Sequence, residues 1–161
     1  MTMQYDVKSY HNTVSGLAVP YRARLKGVVV SPSTSSTYNV AIVDDVAQTG
    51  TYSITTTTCT VTIANHGLTT GDRVWLDFTS GTFTTDDTYS VTKLTANTFT
   101  VTVGSTTASG NVTMYAKMLT ELDASTGTSY YTLIPGEGVL ASFGIRVFIP
   151  TTTITTTIFY G

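Results

Sequence analysis

Threonine limits how this chain can fold more than any other residue type, because 37 of the 161 residues are threonine and many alternate with apolar residues. Clear examples are Thr60-Val61-Thr62-Ile63 and Thr98-Phe99-Thr100-Val101-Thr102-Val103. Alternation with a period of two, in β-branched residues, predicts strands that bury one face and expose the other. Threonine keeps the β-propensity of a branched residue while it presents a hydroxyl group to water. The sequence therefore predicts an all-β protein.

Charge is scarce, with 8 Lys and Arg against 10 Asp and Glu and a net charge of −2. This balance provides no bulk attraction to nucleic acid or to an anionic membrane. The apolar runs are too short to span a bilayer, and the N-terminal residues do not have the pattern of a secretory signal. The single cysteine, Cys59, cannot form a disulfide within this sequence, which fits synthesis in the cytoplasm. A weakly charged, hydroxyl-rich surface favours an obligate oligomer over a free monomer.

The predicted strands fall into two blocks that differ in composition, the inner one being richer in threonine. No segment of ten or more residues has the apolar stripe of an amphipathic helix. The outer block contains Asp6–Asn12, Leu17–Val30, Tyr38–Val43, Ala116–Leu122, Tyr130–Ile134, Val139–Leu140, Ile145–Ile149 and Ile154–Tyr160. The inner block contains Ile54–Ile63, Arg73–Phe78, Thr88–Leu94, Thr98–Val103 and Gly110–Tyr115. Pro20 cannot donate to a ladder, so we expect the segment Leu17–Val30 to be broken or bent there.

These blocks predict a jelly-roll-like β-sandwich with an inserted small β-barrel. Residues 1–50 and 116–161 form the sandwich, which we expect to be the assembly domain, and residues 51–115 form the barrel, which we expect to project. Tyr38–Val43 and Ala116–Leu122 would be neighbouring strands, and the barrel would replace their hairpin loop, a place where insertions are tolerated. The alternative is one continuous, many-stranded sandwich without a separate insert.

Part of the inner block resembles a small β-barrel module of phage and cyanophage virion proteins. The specific residues are Asn65-His66-Gly67-Leu68 and Gly71-Asp72-Arg73-Val74, and the resemblance covers most of residues 54–115. This module is often repeated in tail proteins and fibres. Its fold is similar to the small barrel inserted in ubiquitin-activating enzymes, a likeness that implies no activity.

The outer block resembles small virion structural proteins of tailed phages. The matching segments are residues 22–30, Ile134-Pro135-Gly136-Glu137-Gly138-Val139-Leu140 and the closing Ile158-Phe159-Tyr160-Gly161. In that group the N- and C-terminal parts form one compact domain, with a short hairpin where this chain carries its insert. The resemblance implies a virion protein that is made in the host cytoplasm.

No catalytic, cofactor-binding or metal-binding residues are predicted. His66 lies in a turn, and we expect it to hydrogen-bond backbone groups and to fix the turn before Gly67. Two histidines and one cysteine give no metal-ligand spacing. The carboxylate pairs Asp44-Asp45 and Asp86-Asp87 do not resemble a calcium loop and are expected to be solvated turn residues. The chain is therefore not expected to be an enzyme.

A surface for protein contacts is predicted instead. Arg22, Arg24 and Lys26 alternate along one strand and form a basic stripe, for which a plain solvated face is the alternative. The two glycines beside Glu137 allow a tight turn that projects its side chain. Aromatic residues are favoured in protein interfaces. The full set of predicted interface residues is Arg22, Arg24, Lys26, Tyr130, Tyr131, Glu137, Phe159 and Tyr160. The C-terminal strand is expected either to belong to the core or to pair with another subunit by edge addition.

The function predicted from these features is that of a head decoration (cement) protein of a tailed phage, a non-enzymatic protein that stabilises the capsid through contacts between subunits. Its expected partners are the major capsid protein and further copies of itself, with a trimer favoured, and its expected location is the virion. One alternative is a tail, neck or fibre component. A second is a carbohydrate-binding β-module, in which Trp75 and tyrosines would stack on sugars.

Overall fold

The computed structural model describes residues 7–33, 38–124, 127–150 and 153–161. These residues form strands, turns and irregular segments, and none of them belongs to a helix that could cross a membrane. The predicted all-β class is confirmed, and Asp6, the start of the first predicted strand, lies outside the described residues. In chain order the strands are β1 (Lys8–Asn12), β2 (Gly16–Val19), β3 (Ala23–Pro32), β4 (Tyr38–Asp44), β5 (Ala47–Thr62), β6 (Arg73–Asp77), β7 (Asp87–Ser90), β8 (Thr92–Lys93), β9 (Thr98–Tyr115), β10 (Met118–Ala124), β11 (Tyr130–Leu133), β12 (Val139–Ala141), β13 (Ile145–Phe148) and β14 (Ile154–Tyr160).

The chain divides into two compact units, each with its own hydrophobic core. Unit 1 contains the chain up to Asp45 and from Leu119 onward, and unit 2 is Val46–Met118. In chain order, unit 2 is inserted between β4 and β10, which are neighbours in one sheet of unit 1. The ends of a connection between neighbouring strands are close together, so such a connection accepts an inserted domain.

Unit 1 contains two sheets, each four strands wide. Sheet A has the order β1-β14-β3-β11, with β12 also paired to β3, and sheet B has the order β10-β4-β13-β2. Because β11 and β12 pair with successive parts of the β3 edge that β14 leaves open, they count as one interrupted strand. Unit 1 then has eight strands, which can be numbered 1 to 8 in chain order, with β10 as strand 5, β11 and β12 together as strand 6, β13 as strand 7 and β14 as strand 8. In these numbers the order is 1-8-3-6 in sheet A and 5-4-7-2 in sheet B, which is a jelly roll. The predicted jelly-roll-like sandwich is confirmed.

The core of unit 1 lies between sheets A and B. Val28 and Ile158 enter it from sheet A, while Ile42 and Val147 enter it from sheet B, and all four are completely buried. The predicted break at Pro20 is present, because the chain leaves sheet B after β2 and enters sheet A with β3. A residue that cannot donate to a ladder therefore lies where the chain changes sheets.

Unit 2 is built on one antiparallel sheet, sheet C, in which β9 is the central strand. β9 pairs with β5 along one edge and with β6 and β8 on the other, and β7 extends the sheet beyond β6. The prediction of separate strands at Thr98–Val103 and Gly110–Tyr115 is wrong, because β9 is continuous over 18 residues. The predicted start of β5 at Ile54 is also wrong, since the strand begins at Ala47. Gly, Ser and Thr in these segments suggest turns, but most residues of each strand have a cross-strand partner in the other, on both sides of one register shift.

The long β5–β9 ribbon bends back on itself. The bend lies where the register shifts between Thr56 and Thr58, and Thr56 has a left-handed φ of 57°. Beyond it, Thr62 approaches Gly50 so closely that a Cβ atom on Gly50 would overlap the Thr62 carbonyl oxygen. Both halves of the ribbon therefore contribute to one core, which includes the fully buried Phe99 and Met114. The small barrel predicted for this block is a coiled sheet in which β5 and β7 are the two edge strands.

Candidate interaction surface

The outer face of sheet A brings together several of the residues predicted for an interface. Side chains alternate along β3, so Leu25 is buried in the core while Arg24 and Lys26 lie on the outer face. The same alternation on β14 and β11 places Phe159 and Tyr131 on this outer face. These residues come from three distant parts of the sequence, and the sheet order makes them neighbours.

An aromatic pair occupies the middle of this face. The rings of Tyr131 and Phe159 meet edge to face, with centroids 6.0 Å apart and an interplanar angle of 89°. Gly27 lies beneath the tyrosine, because a Cβ atom there would come within 3.0 Å of the Tyr131 hydroxyl and 3.2 Å of its ring. The glycine therefore leaves room for the Tyr131 ring to lie flat across β3 and reach Phe159.

A shallow apolar groove of about 270 Å³ surrounds the aromatic pair. Val7, Leu133 and the two aromatic rings line it, and Lys26 lies at its margin. Val7 is 53% exposed, Tyr131 is 55% exposed and Leu133 is 65% exposed. Scattered exposed apolar residues are common, but a contiguous group around a groove is typical of an interaction site.

Lys26 is the charged residue of the groove lining, and the predicted interface residues Arg24 and Glu137 lie outside that lining. Arg24 forms an ion pair with Glu137 at 3.4 Å and donates a hydrogen bond to the Gly138 carbonyl oxygen at 3.2 Å. Glu137 projects as predicted, since Gly136 and Gly138 have φ values of 70° and 81° and the glutamate side chain is 82% exposed. Such an exposed ion pair contributes little to stability. Lys26 has no ion-pair partner among the described residues.

The remaining predicted interface residues lie away from the groove. Tyr130 packs against the core of unit 1, and burial, with a smaller contribution from Asp123, raises the pKa of its hydroxyl. Tyr160 also packs against this core and meets the Tyr21 ring edge to face at 6.5 Å. A hydrogen bond with Tyr21, followed by burial, raises the pKa of Tyr160. Arg22 is exposed and precedes β3, so the regular basic stripe is limited to Arg24 and Lys26.

The C-terminal strand β14 belongs to the interior of sheet A. It pairs with β1 on one edge and with β3 on the other, over almost its whole length. Both of its edges are therefore occupied, and of the two alternatives for this strand the core position is correct. The edges of sheet A are formed by β1 on one side and by β11 with β12 on the other.

His66 has the structural role predicted for it. Its Nδ1 accepts a hydrogen bond from the Leu68 backbone N–H at 3.0 Å, and its Nε2 lies 3.1 Å from the Thr95 carbonyl oxygen. The ring is buried, its edge-to-face contact with Phe99 has a centroid distance of 5.2 Å, and Gly67 adopts a left-handed φ of 71°. These contacts fix the turn before Gly67 and leave neither ring nitrogen free for chemistry.

The second sequence motif of unit 2, Gly71-Asp72-Arg73-Val74, also has a structural role. Asp72 accepts hydrogen bonds from the Thr69 backbone N–H at 2.7 Å and from the Thr69 hydroxyl at 3.0 Å. Gly71, between them in the turn, has a left-handed φ of 98°, and its N–H donates to the Val91 carbonyl oxygen. The same Val91 donates to the Asp72 carbonyl oxygen, and there the predicted strand Thr88–Leu94 divides into β7 and β8. The motif thus specifies two turns.

The carboxylate pairs are used in hydrogen bonds within the chain. Asp86 accepts a bond from the Phe78 backbone N–H at 2.8 Å, while burial raises the pKa of Asp86. Asp45 forms a close ion pair with Arg146 at 2.6 Å. Asp44 is fully buried, so the prediction that it is a solvated turn residue is wrong. Within the described part of the chain, no three His, Cys, Asp or Glu side chains form a group that could hold a metal ion.

The features expected of a sugar-binding module are weak. Trp75 is only 3% exposed, so its ring face is not available for stacking on a sugar. Unit 2 has a hollow of about 430 Å³ lined by Thr49, Thr51, Thr79 and Thr113 with neighbouring residues, but no aromatic ring lines it. Cys59 is also buried, and burial raises the pKa of its thiol to about 11, which disfavours a reactive thiolate.

Sequence reasoning missed Val7, Leu133 and Phe143, which are among the most exposed large apolar residues. Val7 and Leu133 lie in segments predicted as ordinary strands, and Phe143 lies between two predicted strands, so only the fold reveals their exposure. No protein-family model matches the chain, and no curated protein matches its sequence.

Proposed function

We propose that this chain is a non-enzymatic structural protein of a tailed-phage virion, and that it decorates the head. The observation that carries the proposal is the apolar groove on the outer face of sheet A, which has exposed Val7, Tyr131 and Leu133 and one lysine, Lys26, in its lining. A protein of this kind acts by burying such surface against its neighbours, and standard interfaces bury about 1,600 Å² in total. Many modest contacts, repeated by symmetry, stabilise a shell.

The proposed partners are the major capsid protein and further copies of this chain, with a trimer favoured. The jelly roll suits this role because it is a compact scaffold that occurs in viral capsid proteins, although fold alone does not determine function. The resemblance of residues 22–30 and 134–140 to virion proteins supports the same class. The chain would be made in the host cytoplasm and would end in the virion. A tail, neck or fibre component is the second candidate, favoured by the tail-type motif of unit 2.

Immunogold electron microscopy of virions with antibodies against this chain tests the proposal. We expect gold particles distributed over the head. Labelling confined to the tail or neck would replace decoration with the second candidate, and unlabelled, intact virions would refute the virion role. Antibodies raised against unit 2 alone serve as a second probe, because they avoid epitopes that contacts of sheet A would cover.

A further inference from the structure

β1 is an edge strand that contributes little to the core of unit 1. In sheet A it pairs with β14 and has no second neighbour in the strand order of the described residues. Four of its five residues are exposed, and no residue of β1 belongs to the apolar core of unit 1. Since burial of apolar surface is the main stabilising contribution in folding, β1 is held chiefly by its backbone pairing with β14.

The contact between β1 and β14 also leaves two buried polar groups unsatisfied. Asn12 and Thr156 lie directly opposite each other in the register, and both are buried. The Nδ2 atom of Asn12 and the Oγ1 atom of Thr156 have no hydrogen-bond partner among the described residues. A buried polar group without a partner costs free energy, and water satisfies it once it is exposed. This end of the contact therefore favours release of β1.

The connection between β1 and β2 is short, and one end of it is fixed. The Ser15 hydroxyl donates to the Ile149 carbonyl oxygen at 3.0 Å and accepts from the Ile149 backbone N–H at 2.8 Å. These bonds hold the start of β2 on unit 1 when β1 moves. Thr13 and Val14 remain as a hinge, and both are exposed. The extended chain from Asn12 to Ser15 spans about 10 Å, whereas paired strands lie only about 5 Å apart, so β1 can reach the edge of an adjacent copy.

We propose that copies of this chain exchange β1, so that the β1 strand of one copy pairs with β14 of the next. The structure identifies what fits the β14 edge, because β1 fills that edge within one chain over five residue pairs. A side-chain contact adds specificity, since the Nδ1 atom of His11 lies 2.8 Å from the Oγ1 atom of Thr157. A second copy brings an identical strand, so exchange keeps these contacts and needs no new complementary surface.

The closed and exchanged forms contain the same strand pairs, so the balance between them depends on the hinge and on concentration. Neighbouring copies on a capsid would have a high effective concentration, which favours exchange. Each copy donates one strand and accepts one, so exchange closes as a dimer or as a ring, such as the trimer favoured above. The inference rests on the self-association within the proposed function, but it is tested on the isolated chain, so its failure leaves the virion location to be decided by immunogold labelling.

Disulfide cross-linking of the full chain tests the exchange. His11 and Thr157 are directly opposite each other on β1 and β14, a spacing that a disulfide can bridge. One variant carries His11→Cys, a second carries Thr157→Cys, and the two are mixed in equal amounts before oxidation. Cys59 is buried, so the added thiols are the accessible ones. We expect a disulfide between positions 11 and 157 of different chains, identified by peptide mass spectrometry, with a yield that rises with protein concentration.

Two controls accompany the mixture. The double variant with His11→Cys and Thr157→Cys verifies that these positions can be bonded. Thr49→Cys and Thr113→Cys, in separate chains mixed in the same way, are the matched control, because Thr49 and Thr113 are directly opposite on β5 and β9, whose long pairing forms the core of unit 2. At about 1 mM chain, the first mixture should give at least about tenfold more linkage between chains than the control mixture. Circular dichroism verifies that all variants are folded.

Three results would overturn the inference. The first is a mixture of the His11→Cys and Thr157→Cys chains that gives no more linkage between chains than the control mixture. The second is a double variant that, oxidised at the same concentration, forms its disulfide only within single chains. The third is a His11→Cys chain that cross-links to itself as readily as it does to the Thr157→Cys chain, which indicates random collisions of an exposed thiol instead of pairing with β14.

Discussion

Replacement of Asp44 by alanine should destabilise unit 1 severely. The change removes the acceptor of three backbone N–H groups, those of Ser142, Phe143 and Gly144, at donor–acceptor distances of 2.8 to 3.3 Å. Hydrogen bonds to charged groups contribute about 1.5–3 kcal/mol each. Part of this loss is offset because a buried carboxylate no longer has to be desolvated. We expect the free energy of unfolding to fall by about 3 kcal/mol, a large part of the stability of an ordinary domain.

The assay is urea unfolding followed by far-ultraviolet circular dichroism, with amide hydrogen exchange at Phe143 and Gly144 as a local readout. Asp45→Ala is the matched control, because Asp45 forms a partly exposed ion pair with Arg146 and its loss should cost about 1 kcal/mol. Asp44→Asn keeps an acceptor oxygen and should fall between the two. A loss of less than about 1 kcal/mol for Asp44→Ala, or unchanged amide exchange, would refute the role of this carboxylate.

Three further predictions concern the cores. Gly50→Ala should destabilise unit 2 by about 1–3 kcal/mol in urea unfolding, because its Cβ atom would overlap the carbonyl oxygen of Thr62, whereas Gly104→Ala, with open space around it, should not. Burial raises the pKa of the Cys59 thiol to about 11 in the folded chain, whereas in the unfolded chain the thiol ionises near the ordinary cysteine pKa of about 8.5. Between these two pKa values only the unfolded chain loses the proton, so the free energy of unfolding falls as the pH rises through this range. The difference in unfolding free energy between the unaltered chain and Cys59→Ala should therefore shrink by about 2 kcal/mol between about pH 8 and about pH 10.5, and a constant difference contradicts this account. Thr156→Val should raise the melting temperature, with a gain of about 1 kcal/mol, because the buried Thr156 hydroxyl has no hydrogen-bond partner among the described residues, and a lower melting temperature would show that the hydroxyl is satisfied.

Local signals in the sequence were sufficient for several features of the fold. The period-two alternation identifies strands because one face of each sheet is buried, as the pattern of β14 illustrates. Pro20 marks a break for a local reason, since it has no N–H group to donate. The role of His66 could be predicted because its turn involves residues within two positions, Gly67 and Leu68.

Non-local pairing explains what the sequence did not reveal. The Gly- and Ser-containing middle of β9 has the composition of a turn, yet it stays extended because Ser53–Thr56 of β5 pair with it. Asp44 belongs to a carboxylate pair that suggests a solvated turn, but its partners lie about a hundred residues later. Only the fold brings Ser142 and its neighbours within hydrogen-bond distance.

The candidate interaction surface could be predicted only in part for the same reason. Composition identified Lys26, Tyr131 and Phe159 as residue types suited to an interface. The groove itself depends on the sheet order that places β14 and β11 on either side of β3, and on the missing side chain of Gly27 beneath Tyr131. Neither the sheet order nor this close approach has a local signal.

The copy number of this chain in purified virions tests the proposed decoration role most directly. Quantitative peptide mass spectrometry, with the major capsid protein as the internal reference, gives this number. A decoration protein that covers the shell should be present in a number of copies close to that of the capsid protein. A number that is only a few per cent of the capsid protein's would contradict decoration and assign the chain to the tail or neck.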